Sequence, residues 1–189
     1  MRRSLPSLLA LLVLAAGCGG DPGTPTSQRS TTGSPGTTTP ATSASSRPQE
    51  LQLDGVKPCD LLTDQQLSTL KIDRAGRPVD SDVYQTSACN WTVNGASSRL
   101  VPVTKEGIEV WTGGKRTGRP TKIEPIHGFA AITVTVPSDE RNCDVMVDTA
   151  SGQYLVATFA VTFGFQDKFP EPCDGARQLA EAAMQNLLK

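Results

Sequence analysis

Hydrophobic and polar positions divide the chain into three segments of different character. Leu8 to Ala16 contains no polar residue, whereas residues 19–50 contain no aromatic or large aliphatic residue. Residues 51–189 alternate short apolar runs with polar turns and contain every Trp, Tyr and Phe of the chain. A chain of about 140 residues can bury most of the surface that it exposes when unfolded. We therefore place a single extracytoplasmic folded domain in residues 51–189.

Two helices are predicted near the ends of this domain. Thr63 followed by Gln66 forms a capping-box pattern that precedes a short apolar face. Near the C-terminus, Asp174 is predicted as the N-cap of a longer helix. The apolar residues of that helix recur at helical spacing, so we expect them to face the core. They are Ala176, Leu179, Ala180, Ala183, Met184, Leu187 and Leu188.

The segment between the helices is rich in β-branched and aromatic residues and predicts several strands. In one run, Cys143, Val145 and Val147 alternate with polar positions and Met146, which is typical of a strand with one buried face. A helix, several antiparallel strands and a second helix predict an α+β fold, an antiparallel sheet flanked by an N-terminal and a C-terminal helix on one face. The predicted strands are Ala88–Val93, Arg99–Thr104, Gly107–Thr112, Phe129–Val136, Cys143–Thr149 and Tyr154–Phe163.

The first 17 residues have the features of a lipoprotein signal peptide. Arg2 and Arg3 precede the apolar run, which is too short to span a bilayer because a spanning helix needs about 20 residues. The sequence Ala15-Ala16-Gly17-Cys18 resembles the bacterial lipobox, in which the peptide is cleaved before a cysteine that carries a diacylglyceryl group. The alternative is a soluble secreted protein that is cleaved near Ala16.

A lipid on Cys18 predicts attachment to the outer face of the cell membrane, because two acyl chains give stable anchoring where one does not. We expect Cys18→Ser to move the protein from the membrane fraction to the soluble fraction of disrupted cells. Membrane association that the substitution leaves unchanged would contradict the anchor.

Residues 18–50 are predicted to form a disordered stalk that begins at the lipidated Cys18. Most of them are Gly, Pro, Ser or Thr, and such a segment cannot bury enough apolar surface to offset the entropy of ordering it. Thr and Ser beside Pro are also typical of O-glycosylated stalks. An unmodified spacer is an equally good interpretation.

Four of the five cysteines form an even set that predicts two disulfides. An exported domain favours their oxidation, and spacings of 30, 54 and 30 residues with a single His in the chain argue against a zinc or redox site. Three pairings are possible. We favour Cys59 with Cys173 and Cys89 with Cys143, because the outer two lie in Pro-Cys-Asp sequences before helices and the inner two lie on predicted strands.

Several of these motifs occur together in a known family. PCDLLT at Pro58–Thr63, Ala-Cys-Asn-Trp at Ala88–Trp91, Cys143 and the Pro-Cys-Asp that ends at Asp174 resemble actinobacterial lipoproteins of the domain of unknown function 3558 family. The resemblance covers nearly all of residues 51–189. It implies a cell-envelope lipoprotein of unassigned activity with a small α+β domain.

Each candidate functional residue has a structural alternative. His127 is a candidate general base, because histidine is the side chain that most often serves in this role near neutral pH. No Gly-x-Ser-x-Gly motif accompanies it, and a loop histidine before a strand is the favoured interpretation. The basic segment Gly113–Lys122 is suited to a polyanion, although its Gly and Pro residues favour a solvated hairpin loop. Asp144 and Asp148 are either a hydrolytic pair or two exposed charges on a sheet. Trp91 either lines a carbohydrate or lipid pocket or packs on the neighbouring disulfide.

The overall composition narrows the function classes. A net charge of −1 argues against a nucleic-acid partner, and we predict no catalytic residue, cofactor or metal site. The leading hypothesis is therefore a non-enzymatic binding module for a small hydrophobic ligand or for an envelope lipid, glycan or protein. A protein-interaction or sensor subunit is the alternative, and an envelope hydrolase is the third. The sequence leaves the oligomeric state open.

Overall fold

Seven antiparallel strands form one sheet in the computed structural model, which describes residues 47–189. The signal peptide, Cys18 and the predicted stalk up to residue 46 lie outside the described residues. The strands are β1 (Arg77–Ser81), β2 (Thr86–Val93), β3 (Ala96–Val103), β4 (Arg119–Ile126), β5 (Phe129–Val136), β6 (Asp139–Ala150) and β7 (Gln153–Val161). The helices are α1 (Asp64–Thr69), α2 (Glu109–Thr112) and α3 (Pro172–Leu187), with 3₁₀ turns at Pro58–Leu61 and Gln166–Lys168.

The strand order β1-β2-β3-β7-β6-β5-β4 combines two meanders. The first meander runs from one edge of the sheet to its centre at β3. The chain then crosses through α2 to the far edge at β4 and returns strand by strand to β7. Pairing of β3 with β7 joins the two meanders in the middle, and α3 closes the fold after β7.

The two edge strands, β1 and β4, are the strands that the sequence pattern does not predict. Both contain proline, at Pro78 in β1 and at Pro120 and Pro125 in β4, and both are mostly exposed. Proline has no N–H to donate and is confined to sheet edges, where it also blocks pairing with another chain. The basic segment Gly113–Lys122 was predicted as a loop. Only its residues up to Gly118 lie in a loop, and its last four residues belong to β4.

The larger helices cover one face of the sheet, as predicted, and we call this the helix-covered face. Thr63 caps α1 through the predicted capping box: its Oγ1 accepts from the Gln66 amide at 3.3 Å, and the Gln66 side chain accepts from the Thr63 amide at 2.9 Å. The N-cap of α3 is Glu171, so the prediction of Asp174 is wrong by one turn. The helix starts early because Pro172 suits a first helical position, where no N–H is needed. Its apolar stripe is buried or partly buried throughout.

The opposite face of the sheet is also partly covered, and here two predictions are wrong. The segment predicted as a strand at Gly107–Thr112 is not a strand, and its last four residues form α2. Strand β3 is already paired on both sides, so the chain folds back over the sheet at this point. Trp111 of α2 and Tyr84 of the β1–β2 turn cover the centre of this face. The sequence pattern predicted that β6 buries only the face that carries Cys143, Val145 and Val147. Met146 on its other face is also fully buried.

The two disulfides pair differently from the pairing that we favoured. Cys59 bonds Cys89, and Cys143 bonds Cys173. Cys89 and Cys143 lie on β2 and β6, which β3 and β7 separate. Three strand spacings of about 4.8 Å place them roughly 14 Å apart, beyond the reach of a disulfide. Each bridge instead ties a helical segment to a strand of the helix-covered face.

The start of the described chain is held on the turn between β6 and β7. Arg47 pairs with Asp148 at 2.6 Å, Glu50 accepts from the Ser151 amide at 2.8 Å, and the Leu51 amide donates to the Thr149 carbonyl. The end of the predicted stalk therefore contacts the domain, through Arg47 and Glu50. Within residues 47–189, none of the helices combines the length and the apolar character that crossing a membrane requires.

Candidate functional site

A cleft of about 310 Å³ opens on the helix-covered face, between the end of α1 and the start of α3. Phe159 of β7 and Leu179 of α3 contribute buried apolar surface, and Leu70 is half-buried at the end of α1. Phe169 packs on Phe159, with ring centroids 6.3 Å apart. Thr69, Lys71, Ser98, Pro170, Gly175 and Gln178 complete the lining.

Two backbone features create this cleft. Lys71 adopts the left-handed conformation, with φ of 58°, so the chain turns sharply away where α1 ends. Gly175 lies in the first turns of α3, and a Cβ there would overlap the Phe159 ring. The absence of a side chain at Gly175 thus lets the ring lie directly against the helix backbone and leaves room beside it.

The lining of this cleft is amphipathic. Aromatic and aliphatic side chains form its floor, whereas Lys71 and Thr69 lie exposed at its mouth. Lys71 makes no ion pair with another described residue. An apolar floor with a few polar groups at the opening is the usual composition of a small-molecule site.

The centre of the opposite face is closed by a network of aromatic and charged side chains. Trp111 Nε1 donates to the Tyr154 hydroxyl at 3.0 Å, and that hydroxyl donates to Glu106 at 2.7 Å. Glu106 in turn pairs with Arg116 at 2.6 Å, whose guanidinium lies over the rings of Tyr84 and Trp111. Burial raises the pKa of the Tyr154 phenol, so this group stays neutral and donates. Arg116 therefore stabilises a loop and is not available to a polyanion.

A second, polar cleft of about 240 Å³ lies on the same opposite face, where β2, β3, β7 and β6 run side by side. Asn90, Arg99, Thr158 and Asp144 are cross-strand neighbours on β2, β3, β7 and β6. Arg99 Nε donates to Asn90 Oδ1 at 2.7 Å, and Thr158 Oγ1 donates to Asp144 Oδ1 at 2.6 Å. Burial raises the pKa of Asp144, although the Thr158 hydrogen bond and the charge of Arg99 both oppose the shift.

Because the pKa of Asp144 is raised, the stability of the folded domain should depend on pH through this group, and Asp144→Asn should remove that contribution. Because the folded pKa lies above the ordinary value of 3.8, the favourable contribution of Asp144 is complete below pH 3.8 and is lost as the pH rises through the folded pKa. Asn can still accept from Thr158 and carries no buried charge. We expect the variant to become increasingly more stable than the wild type across this window, as measured by urea unfolding at a series of pH values. If the stability difference between the variant and the wild type were the same at every pH, the raised pKa of Asp144 would be contradicted.

The residues singled out from the sequence do not form one site. His127 is exposed in the β4–β5 turn, and its Nε2 lies 3.2 Å from the Glu181 carbonyl of α3. Asp148 is buried and pairs with Arg47, while Asp144 is half-buried, so the prediction of two exposed charges is wrong. Trp91 is 1% exposed and packs in the core with Cys89, which selects the structural alternative.

Sequence reasoning did not identify either cleft as a binding site, although Leu179 was expected in the core and Asp144 was a candidate residue. One signal was present for the first cleft: Gly175 lies inside a helical pattern, and an isolated glycine there usually has a packing reason. The second cleft depends on the register of β3 with β7, which the sequence pattern does not specify. In the part of the chain from Arg47 onward, no group of three or more His, Cys, Asp or Glu residues could hold a metal ion.

Comparison with models of known protein families identifies the family of this chain. The family model described as Protein of unknown function (DUF3558) matches residues 13–186, so the chain belongs to this family. Neither a curated protein nor a solved structure matches the chain significantly.

Proposed function

We propose that the chain is a non-enzymatic lipoprotein of the cell envelope whose domain binds a small amphipathic molecule with an acidic group. The cleft between α1 and α3 carries this proposal. Its floor of Phe159, Phe169 and Leu179 suits a hydrocarbon portion, and Lys71 at the mouth suits a carboxylate. Its volume lies at the lower end of the roughly 300–1,000 Å³ that is usual for ligand pockets, so one small molecule is the expected occupant.

The cellular location rests on the N-terminal sequence. A charged start, an apolar run and the lipobox-like sequence before Cys18 support export and lipid attachment at the outer face of the cell membrane. The actinobacterial lipoproteins that the chain resembles support the same location. The membrane is then a partner through the lipid, and the ligand reaches the domain from the envelope.

The two other function classes have weaker support. A protein-interaction subunit would be favoured by a contiguous exposed apolar patch. Among the described residues, the exposed large hydrophobic side chains instead lie at three separate places in the chain: Val83 between β1 and β2, Val136 at the end of β5, and Phe163 after β7. An envelope hydrolase would be favoured by a nucleophile beside His127. In the described part of the chain, the hydrogen bond of that ring is with the main chain of α3.

Titration of the full chain carrying Cys18→Ser with short-chain and medium-chain fatty acids tests the proposal. We expect saturable shifts of the Phe159, Phe169 and Leu179 side-chain signals in NMR spectra, and weaker binding of the matching alcohols because they cannot pair with Lys71. Thr69→Trp should block the mouth and weaken binding about tenfold or more, since most of the apolar contact is lost. Lys71→Met should remove the preference for the acid over the alcohol.

Ser68→Trp is the matched control for Thr69→Trp. Ser68 is the preceding residue of α1, is also exposed, and does not line this cleft. This variant should bind as the parent chain does. Absence of saturable binding, or equal weakening by Thr69→Trp and Ser68→Trp, would contradict the proposal.

A further inference from the structure

The polar cleft on the opposite face is built from two rows of cross-strand neighbours. The inner row is Asn90, Arg99, Thr158 and Asp144, and the outer row is Thr92, Ser97, Ala160 and Asn142. Ala160 is the one apolar member. The next row inward, which begins at Ala88 and includes Val101, Val156 and Met146, is apolar and buried. The polar residues therefore cluster where the aromatic cover of this face ends.

Hydrogen bonds within the cleft fix its side chains but do not satisfy all of them. Arg99 donates its Nε–H to Asn90 Oδ1. The two terminal nitrogens of this guanidinium have no hydrogen-bond partner among the described residues. Asn142 Oδ1 is buried and has no hydrogen-bond partner in the described chain. Buried polar atoms are nearly always satisfied, so an unpaired one requires an explanation. Arg99 on β3, with its unpaired donors, and Asn142 on β6, with its unpaired acceptor, both line this cleft.

The charges of the cleft select a neutral occupant. Among residues 47–189, Arg99 is the one cation that lines it. Asp139 lines it at the start of β6, and Asp144 lies in the adjoining position of the inner row. A phosphate or carboxylate that approaches Arg99 would meet these two acidic side chains. A hydrocarbon would leave the donors and acceptors unsatisfied, which is costly for buried groups.

We propose that this polar cleft binds a sugar residue or another polyol through its hydroxyl groups. A hydroxyl both donates and accepts, so one hydroxyl can accept from the terminal nitrogens of Arg99 while a neighbouring one donates to Asn142 Oδ1. The volume of about 240 Å³ accommodates a single ring rather than a long chain. This site lies on the opposite face of the sheet from the cleft between α1 and α3, and it is independent of the proposed function.

Titration of the full chain carrying Cys18→Ser with a panel of monosaccharides and alditols tests this site. NMR signals of the Arg99 Nε–H and of the Asn90 and Asn142 side-chain amides should shift in a saturable manner with at least one member. Arg99→Lys keeps the charge but loses the planar fork of donors, so we expect affinity to fall about tenfold or more. Asn142→Leu should weaken binding similarly.

Arg141→Lys is the matched control, because Arg141 is an exposed arginine that immediately precedes Asn142 on β6 and so projects to the other face. This variant should bind the sugar or alditol as the parent chain does. Three results would overturn the site: no saturable shift with any member of the panel, equal loss in Arg99→Lys and Arg141→Lys, or shifts of the Arg99 signal with inorganic phosphate but with no sugar or alditol.

Discussion

Reducing both disulfides of the full chain carrying Cys18→Ser is expected to lower its free energy of unfolding by about 7 kcal/mol. Each bridge closes a segment of 30 residues. In the chain-entropy account, a loop of this size contributes about 3.5 kcal/mol, because it restricts the unfolded chain. The total stability of a domain is only about 5–15 kcal/mol, so the reduced protein should be largely unfolded near physiological temperature. Urea unfolding with and without a reductant measures this loss.

Paired substitutions distinguish the observed pairing from the pairing that the sequence favoured. Cys59→Ala with Cys89→Ala, and Cys143→Ala with Cys173→Ala, should each remove one bridge and about half of the total loss. In the chain that carries Cys18→Ser, Cys89→Ala with Cys143→Ala should remove both bridges and leave two free thiols that a thiol reagent detects. If this last variant retained a disulfide and no free thiols, the pairing described above would be wrong.

The Cys143–Cys173 bridge also bears on the candidate ligand cleft. Cys173 lies in the first turn of α3, two residues before Gly175, where the helix backbone contacts the Phe159 ring. The bridge therefore fixes the start of α3 against β6 and holds one wall of the cleft in place. The Cys59–Cys89 bridge, by contrast, fixes the segment that precedes α1.

The central strands could be predicted from the sequence, and the edge strands could not. Strand β5 was predicted with its observed bounds, because it is apolar and rich in β-branched residues, as buried strands are. Strands β1 and β4 are polar, contain proline and face solvent, so their sequences match those of loops. Such edges become strands only because a neighbouring strand offers hydrogen bonds.

The wrong predictions concern features that depend on contacts between distant parts of the chain, which a local sequence pattern does not contain. The residues of α2 favour a strand by their intrinsic preference, yet Trp111 reaches Tyr154 only when the segment folds over the sheet as a helix. The disulfide pairing likewise follows from strand order, which local pattern does not contain. Arg99 and Thr158 are neighbours for the same reason, although 59 positions separate them in the sequence.

Trp91→Ala is expected to cost about 3–5 kcal/mol of folding free energy, the largest effect of any single substitution proposed for this chain. The Trp91 side chain is 1% exposed and lies in the core beneath the helices. The backbone at Gly76 packs on this indole and on the disulfide together: a Cβ there would lie 2.5 Å from Cys89 Sγ and 2.8 Å from Trp91 Nε1. The bridge between Cys89 and Cys59 fixes one wall of the resulting cavity and so limits how far the core can collapse into it.

Thermal unfolding measures the effect, and a loss of this size should lower the melting temperature by roughly 10 °C. Trp91→Phe keeps part of the apolar volume and should cost less. Phe163→Ala is the matched control, because Phe163 is an aromatic side chain that is 78% exposed, and it should change the free energy of unfolding by less than about 0.5 kcal/mol. Similar melting temperatures for Trp91→Ala and Phe163→Ala would contradict the core position of Trp91 and would favour the interpretation that this indole lines a binding pocket.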